Sequence, residues 1–252
     1  MNQKEFVAAL AAQVSKQTFP DYVKESPAKI AAKLTKDAEV FISGELGKGK
    51  PKNGQSKVGG KPDVPADFEW PTEEEDDDAP LQFFAQINLA EVHPHDFENK
   101  LPAEGMLWFF SIADGDRAGG GEIDESTTKV IYAAKPGKLK AHDIPEAIAE
   151  NEDAEIDEHI LALGPCIGLD AFRDSGIKNV INEQLRALGG KSGPLFMLNV
   201  RDEEDGIMLA DFDCYAIAKN AFGEGILGFM LTEEDLENGE LDKAETLFDG
   251  GT

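Results

Sequence analysis

Residues 56–71 read SKVGGKPDVPADFEWP. Two adjacent glycines, three prolines and a tryptophan fall within sixteen residues, and the reading of this stretch decides the rest. A phosphate-cradling loop needs G-x-x-x-x-G-K-[ST], or G-x-G-x-x-G between a strand and a helix, and neither pattern is present. Pro62 and Pro65 follow the glycines closely, so no helix begins there to offer its N-terminus to an anion. The stretch reads instead as a structural bend. Gly59 and Gly60 supply backbone freedom, Pro62 and Pro65 keep the chain extended, and Trp70 anchors it.

Moving outward from this bend, the apolar pattern changes character on either side. On the N-terminal side, Phe6, Leu10 and Val14 recur every four residues and predict a helix over 2–17. A second helix is expected over 27–36, with Ser26 as its N-cap and Pro27 as its first residue. Residues 44–63 are rich in Gly, Lys and Pro and read as irregular, and EEEDDD at 73–78 reads as a solvated acidic loop. On the C-terminal side, strands are expected within 80–92 and at 105–112, 129–134, 194–200, 206–213 and 225–231, with short helices at 143–151 and 179–188. Gly189-Gly190 ends the second of these helices, and Thr232 to Asp235 resembles a capping box that opens a last one. PLQFFAQI at 80–87 is echoed by PLFMLNV at 194–200, and EGMLWFF at 104–110 by EGILGFM at 224–230. The echo suggests an internal duplication, so the fold class is α+β, with antiparallel sheets from two related halves and a few flanking helices.

Charge is the outlier in composition. Fifty acidic residues face twenty-four basic ones in 252, a net charge of −26. Such a chain repels nucleic-acid phosphates and anionic lipid, which excludes both as favoured partners. It favours a basic protein, metal ions or a high-salt medium. Two cysteines, Cys166 and Cys214, make no disulfide framework and suit a reducing compartment. No stretch approaches the roughly 20 apolar residues that span a bilayer, and residues 1–20 do not form a signal peptide. The expectation is a soluble cytoplasmic protein.

Several residue groups are candidates for chemistry. His93-Pro94-His95-Asp96 offers two imidazoles and a carboxylate, the start of a zinc or iron site if His142, His159 or an acid supplies a third ligand. The loop at 114–125 has Asp114, Asp116, Gly119 and Glu125 at EF-hand positions 1, 3, 6 and 12, but Ala118 and Gly121 depart from that pattern and an apparent strand precedes it. It reads as a glycine-rich β-loop. No G-x-S-x-G is present, and acidic neighbours are expected to suppress the reactivity of both cysteines. Asp211 and Asp213 form a carboxylate pair, one of many. Gln86 and Asn88 lie two apart on a predicted strand and share one face, where they either bond a neighbouring loop or line a pocket.

The order SKVGGKPDVP, then Trp70-Pro71, then PLQFFAQINL and LPAEGMLWFF resembles the YwqG-like family (DUF1963), and the likeness extends through KVIYAAKPGKLK to the GILGFMLTEEDLENGELDKAETLFDG tail. It covers roughly residues 56–250. Departures are Asn199-Val200-Arg201-Asp202 where the family has a Gln-Ile-Asp-Ser-Asp-like strand, and Phe222-Gly223-Glu224 where a Trp-Gly-Asp is common. The resemblance implies an α+β domain over residues 51–252 behind an N-terminal helical segment, residues 1–50. It implies no established activity and no cofactor. The residues singled out with the resemblance are Gly59, Gly60 and Pro65 as structural motif and Trp70, Gln86 and Asn88 as binding candidates; Asp211 and Asp213 join the binding candidates on their residue types alone. Relatives that lie among toxin and immunity genes imply a further expectation, that an acidic, non-enzymatic module binds a basic protein and neutralises a toxin. The alternative is a hydrolase or metal-dependent enzyme that uses clustered carboxylates.

Overall fold

The computed structural model describes residues 1–73, 76–112, 123–151, 156–199, 206–218 and 224–250. Three longer helices are α1 (Gln3–Val14), α2 (Pro27–Asp37) and α3 (Ser175–Ala187). The strands begin with β1 (Val40–Gly47), β2 (Lys57–Val58), β3 (Asp63–Val64), β4 (Thr72–Glu73) and β5 (Asp76–Pro80). The next are β6 (Gln82–Asn88), β7 (Met106–Ser111), β8 (Thr128–Ala133), β9 (Lys140–Ala141) and β10 (His159–Ile167). The last are β11 (Leu195–Asn199), β12 (Ile207–Asp213), β13 (Gly225–Leu231) and β14 (Glu245–Gly250).

Ten of these strands form one antiparallel sheet in the order β14-β13-β12-β11-β1-β10-β2-β6-β7-β8. The sheet curls until its two ends nearly meet. Phe84 of β6 and Phe109 of β7 pack their rings 5.1 and 5.2 Å from Phe212 of β12, and Phe109 lies 5.0 Å from Phe229 of β13. These strands stand far apart in the sheet order, so their side chains can touch only across a concave interior. At the seam, the hydroxyls of Thr128 on β8 and Thr246 on β14 share a hydrogen bond, and the 3₁₀ turn Leu241–Lys243 packs against β8. The result is an α+β fold built on a nearly closed, barrel-like sheet.

The helices cover the convex side of β1 and β10. Phe6, Leu10 and Val14 are fully buried, as their four-residue spacing predicts, and they join Ile30, Leu34, Ile181, Leu185 and Cys166 in a second core. Local chemistry sets the helix starts. Asn2 and Glu5 form a reciprocal capping box at α1, and Ser26 caps α2 with Pro27 in the first turn.

Three expectations are corrected. EEEDDD at 73–78 is not a loop throughout: Glu73 ends β4, and Asp76 to Asp78 begin β5, its antiparallel partner. Residues 44–47 are not irregular but complete β1, which lies between β10 and β11 in the middle of the sheet. The N-terminal segment therefore contributes a strand to the domain's sheet. The echoed strands are also placed differently in the two halves: β6 and β7 are hydrogen-bonded neighbours, whereas β11 and β13 flank β12. The repeated residues mark similar strands but not a repeated topology. Among the described residues, no helix is long and apolar enough to cross a membrane.

Candidate functional site

The bend at 56–71 wraps over β6 and β7 and is fastened by a buried polar network. Lys57 stands opposite Gln86, and Gln86 opposite Trp108, so the three side chains lie on one face of neighbouring strands. The Lys57 ammonium lies 3.2 Å from an Asp63 carboxylate oxygen and 3.3 Å from Glu158, and the Lys57 and Asp63 side chains are 5% and 6% exposed. The same Asp63 oxygen accepts hydrogen bonds from the Gly54 amide (3.0 Å) and the Gln86 side-chain amide (3.0 Å). Gln86 also donates to the Gln55 carbonyl and accepts from the Asp63 amide, both at 2.8 Å, while Trp108 donates to the Asp63 carbonyl at 3.0 Å. An ion pair removed from water needs such supplementary bonds to offset desolvation.

Asn88 extends the fastening. Its side chain donates to the Gly54 carbonyl (2.8 Å) and accepts from the Ala90 amide (3.0 Å), which starts the short helix Leu89–Val92. Its backbone amide donates to the Ser56 hydroxyl, and the Ser56 amide donates to Glu91. Gln86 and Asn88 therefore bond the 53–64 segment, the first of the two roles open to them. Lys57, Asp63, Ser56 and Glu158 are members that the sequence reading did not single out. The signal was present: Lys57 and Asp63 bracket the two glycines within seven residues.

The glycines fit tightly. Gly59 (φ +61°) and Gly60 (φ +65°) are left-handed, and a Cβ on Gly59 would lie 2.3 Å from the Ile156 carbonyl oxygen and 2.5 Å from that of Asp157. Pro65 opens a turn in which its carbonyl accepts the Phe68 amide. Trp70 donates to the Leu81 carbonyl at 2.8 Å, and its ring packs 5.5 Å from Phe110 and 5.5 Å from His142.

The other candidates are scattered. His93 is exposed and His95 half-buried in one 3₁₀ turn, and burial holds His95 below its usual 6.5, with Lys191 adding to the effect. Asp96 is buried and accepts the Leu101 amide at 2.8 Å. Asp114 and Asp116 lie outside the described residues, and Glu125 sits in the turn that leads into β8. Asp211 is fully buried on β12, whereas Asp213 accepts the Ala216 amide at 2.9 Å at the start of the short helix Cys214–Ala218. Among the described residues, no three His, Cys, Asp or Glu side chains converge in a way that could hold a metal ion. Burial, more than acidic neighbours, pushes the Cys166 and Cys214 thiols up to about 12. Such thiols are protonated and unreactive at neutral pH.

The surface carries a different arrangement. From Glu233 to Asp249 the chain has eight acidic residues and one basic residue, Lys243. Thr232 caps the helix Glu233–Asn238, and its hydroxyl holds the Asp235 carboxyl below the usual carboxylate range, with Lys243 assisting. The segment ends in β14, an outermost strand of the sheet, on which Glu245, Leu247 and Asp249 are exposed.

No curated protein matches the chain. The model of the DUF1963 family, a domain of unknown function, matches residues 56–249, from the first residue of the bend to the last acid of β14. The wrapped bend, the acidic edge and every strand of the barrel-like sheet except β1 begin within that span, and the chain belongs to the DUF1963 family.

Proposed function

We propose that the chain is a non-catalytic module whose acidic surface binds a basic protein, and that the role of this binding is to neutralise a basic toxin. The supporting observation is how the charge is divided. Residues 1–50 hold eight Lys against six Asp or Glu, whereas the remaining residues hold sixteen basic against forty-four acidic. The acidity therefore belongs to the family domain and not to the helical segment that precedes it. A field of one sign over a domain steers oppositely charged partners and raises their association rate, an effect that salt screens over a Debye length of about 10 Å at 0.1 M.

The test is affinity purification of the tagged chain from its host at low salt. A single stoichiometric basic partner that leaves the protein as salt rises is the expected result. Recovery of no basic partner at any salt concentration overturns the proposal.

A further inference from the structure

We infer that β14 is a strand-addition site, and that the occupant is an extended segment of the partner with basic residues four apart around an apolar one. The inference rests on the basic-partner reading above and specifies where and how that partner docks.

The backbone carries the first part. Among the described residues, β14 ends the sheet order and pairs only with β13, from Gly225 opposite Gly250 to Met230 opposite Glu245. In an antiparallel strand, alternate residues turn their N–H and C=O groups to opposite sides, so every second residue of β14 directs this pair away from β13. At the far end of the sheet, β8 meets the Leu241–Lys243 turn, and its Thr128 bonds Thr246. Those contacts cover only the start of β14; among the described residues no strand pairs with Leu247 to Gly250 on that side, and an added strand that reaches Glu245 takes the place of the Thr128–Thr246 hydrogen bond. A free edge of this kind is a template for another strand.

The side chains decide what fits. Glu245, Leu247 and Asp249 are spaced by two and project from one face, while Thr246 and Phe248 turn to the other. Leu247 is 48% exposed, and of the large apolar side chains exposed among the described residues it is the one carried by a strand. A second copy of the chain is a poor occupant. Antiparallel pairing about a two-fold axis at Leu247 sets Glu245 of each copy against Asp249 of the other, and like charges directly opposite are destabilising. A strand that presents Lys or Arg opposite both acids, with an apolar residue between them, converts both repulsions into attractions.

The probe is the peptide Gly-Lys-Thr-Leu-Val-Lys-Gly, titrated into the full-length chain at low salt and followed through its backbone amide resonances. The control has the same charge, with Thr and Val replaced by proline, which cannot donate to a ladder. The expected result is a shift of the resonances of residues 245–250, with binding about tenfold tighter than for the control. Equal shifts from both peptides mean that charge is recognised without a strand, which overturns the inference and leaves the basic-partner reading standing. Shifts confined to other residues, or no binding by either peptide, also overturn it. The double variant Glu245→Lys/Asp249→Lys, altered only at exposed positions, is expected to lose the basic peptide and to bind its Glu-substituted counterpart. An unchanged preference contradicts the inference.

Discussion

Asp63 and Asp249 lie near opposite ends of the family domain and show two uses of the same side chain. Asp63 is inside. Its carboxylate meets an ammonium, a backbone amide and a side-chain amide, and these bonds hold the 53–64 segment against β6 and β7. Asp249 is outside, on an outermost strand of the sheet, within a run where acids outnumber bases eight to one. In the first region charge is neutralised internally and contributes to the fold. In the second it is left exposed to solvent, on the surface where the proposed basic partner would meet it. A high acid count by itself does not separate these uses; burial and partners do.

The sharpest way to break this contrast is to remove the cation of the buried pair. Lys57→Met leaves the buried Asp63 carboxylate without its counter-ion and is expected to lower stability by about 3–5 kcal/mol, read by urea unfolding. Lys57→Met combined with Asp63→Asn is expected to recover part of that loss. If the single variant unfolds like the parent, the network does not fasten the segment.

Next in size is Gly59→Ala, which combines a left-handed residue with a Cβ driven into two carbonyl oxygens, and is expected to cost at least about 2 kcal/mol. Gly137 provides the control. It has φ +68° but nothing within 4 Å of an added Cβ, so Gly137→Ala is expected to cost only about 1 kcal/mol. On the acidic side, Thr232→Ala removes the cap of the 233–238 helix and is expected to cost about 1 kcal/mol. Glu245→Lys with Asp249→Lys is expected to change stability by no more than about 0.5 kcal/mol, although it reverses two charges. A large destabilisation there would show that these acids serve the fold after all.

The smallest expected effect is on pH dependence. Burial lowers the pKa of His95 from 6.5, so between that depressed value and 6.5 the folded protein binds fewer protons at this site than the unfolded chain does. Its contribution to stability is therefore complete above 6.5 and declines as pH falls through this window. His95→Gln is expected to flatten that part of a stability–pH profile.

Much of the fold was legible because local chemistry and tertiary packing agree. The Phe6–Leu10–Val14 spacing, Ser26-Pro27 at a helix start, Thr232 at another, and the apolar runs at β6, β7, β12 and β13 each read in the sequence as they stand in the structure. β1 and β10 did not read as strands, and their pairing shows why. Gly44 and Gly47 interrupt β1, and Gly164-Pro165 interrupts β10. A Cβ at Gly44 would press on Leu195 at 3.0 Å, and one at Gly164 would lie 2.7 Å from the Gly189 carbonyl oxygen, so close packing excludes the side chains that mark a strand. Pro165 is tolerated because its carbonyl, and therefore the nitrogen that lacks a hydrogen, faces Lys191 and not β1. The GG bend and the Gln86/Asn88 face were legible as structural devices. Lys57 and Asp63 stand six residues apart in that same bend, but their burial as a pair depends on β6 and Glu158, which come from other parts of the chain.

The most direct test of the account sets the two regions against each other in one experiment. The parent chain, Glu245→Lys/Asp249→Lys and Gly137→Ala are used side by side as bait at low salt, with folding of each verified by its unfolding curve. One basic partner is expected to stay with the parent and with Gly137→Ala, and to be lost from the folded charge-reversed bait. Equal recovery of that partner on all three baits would contradict it.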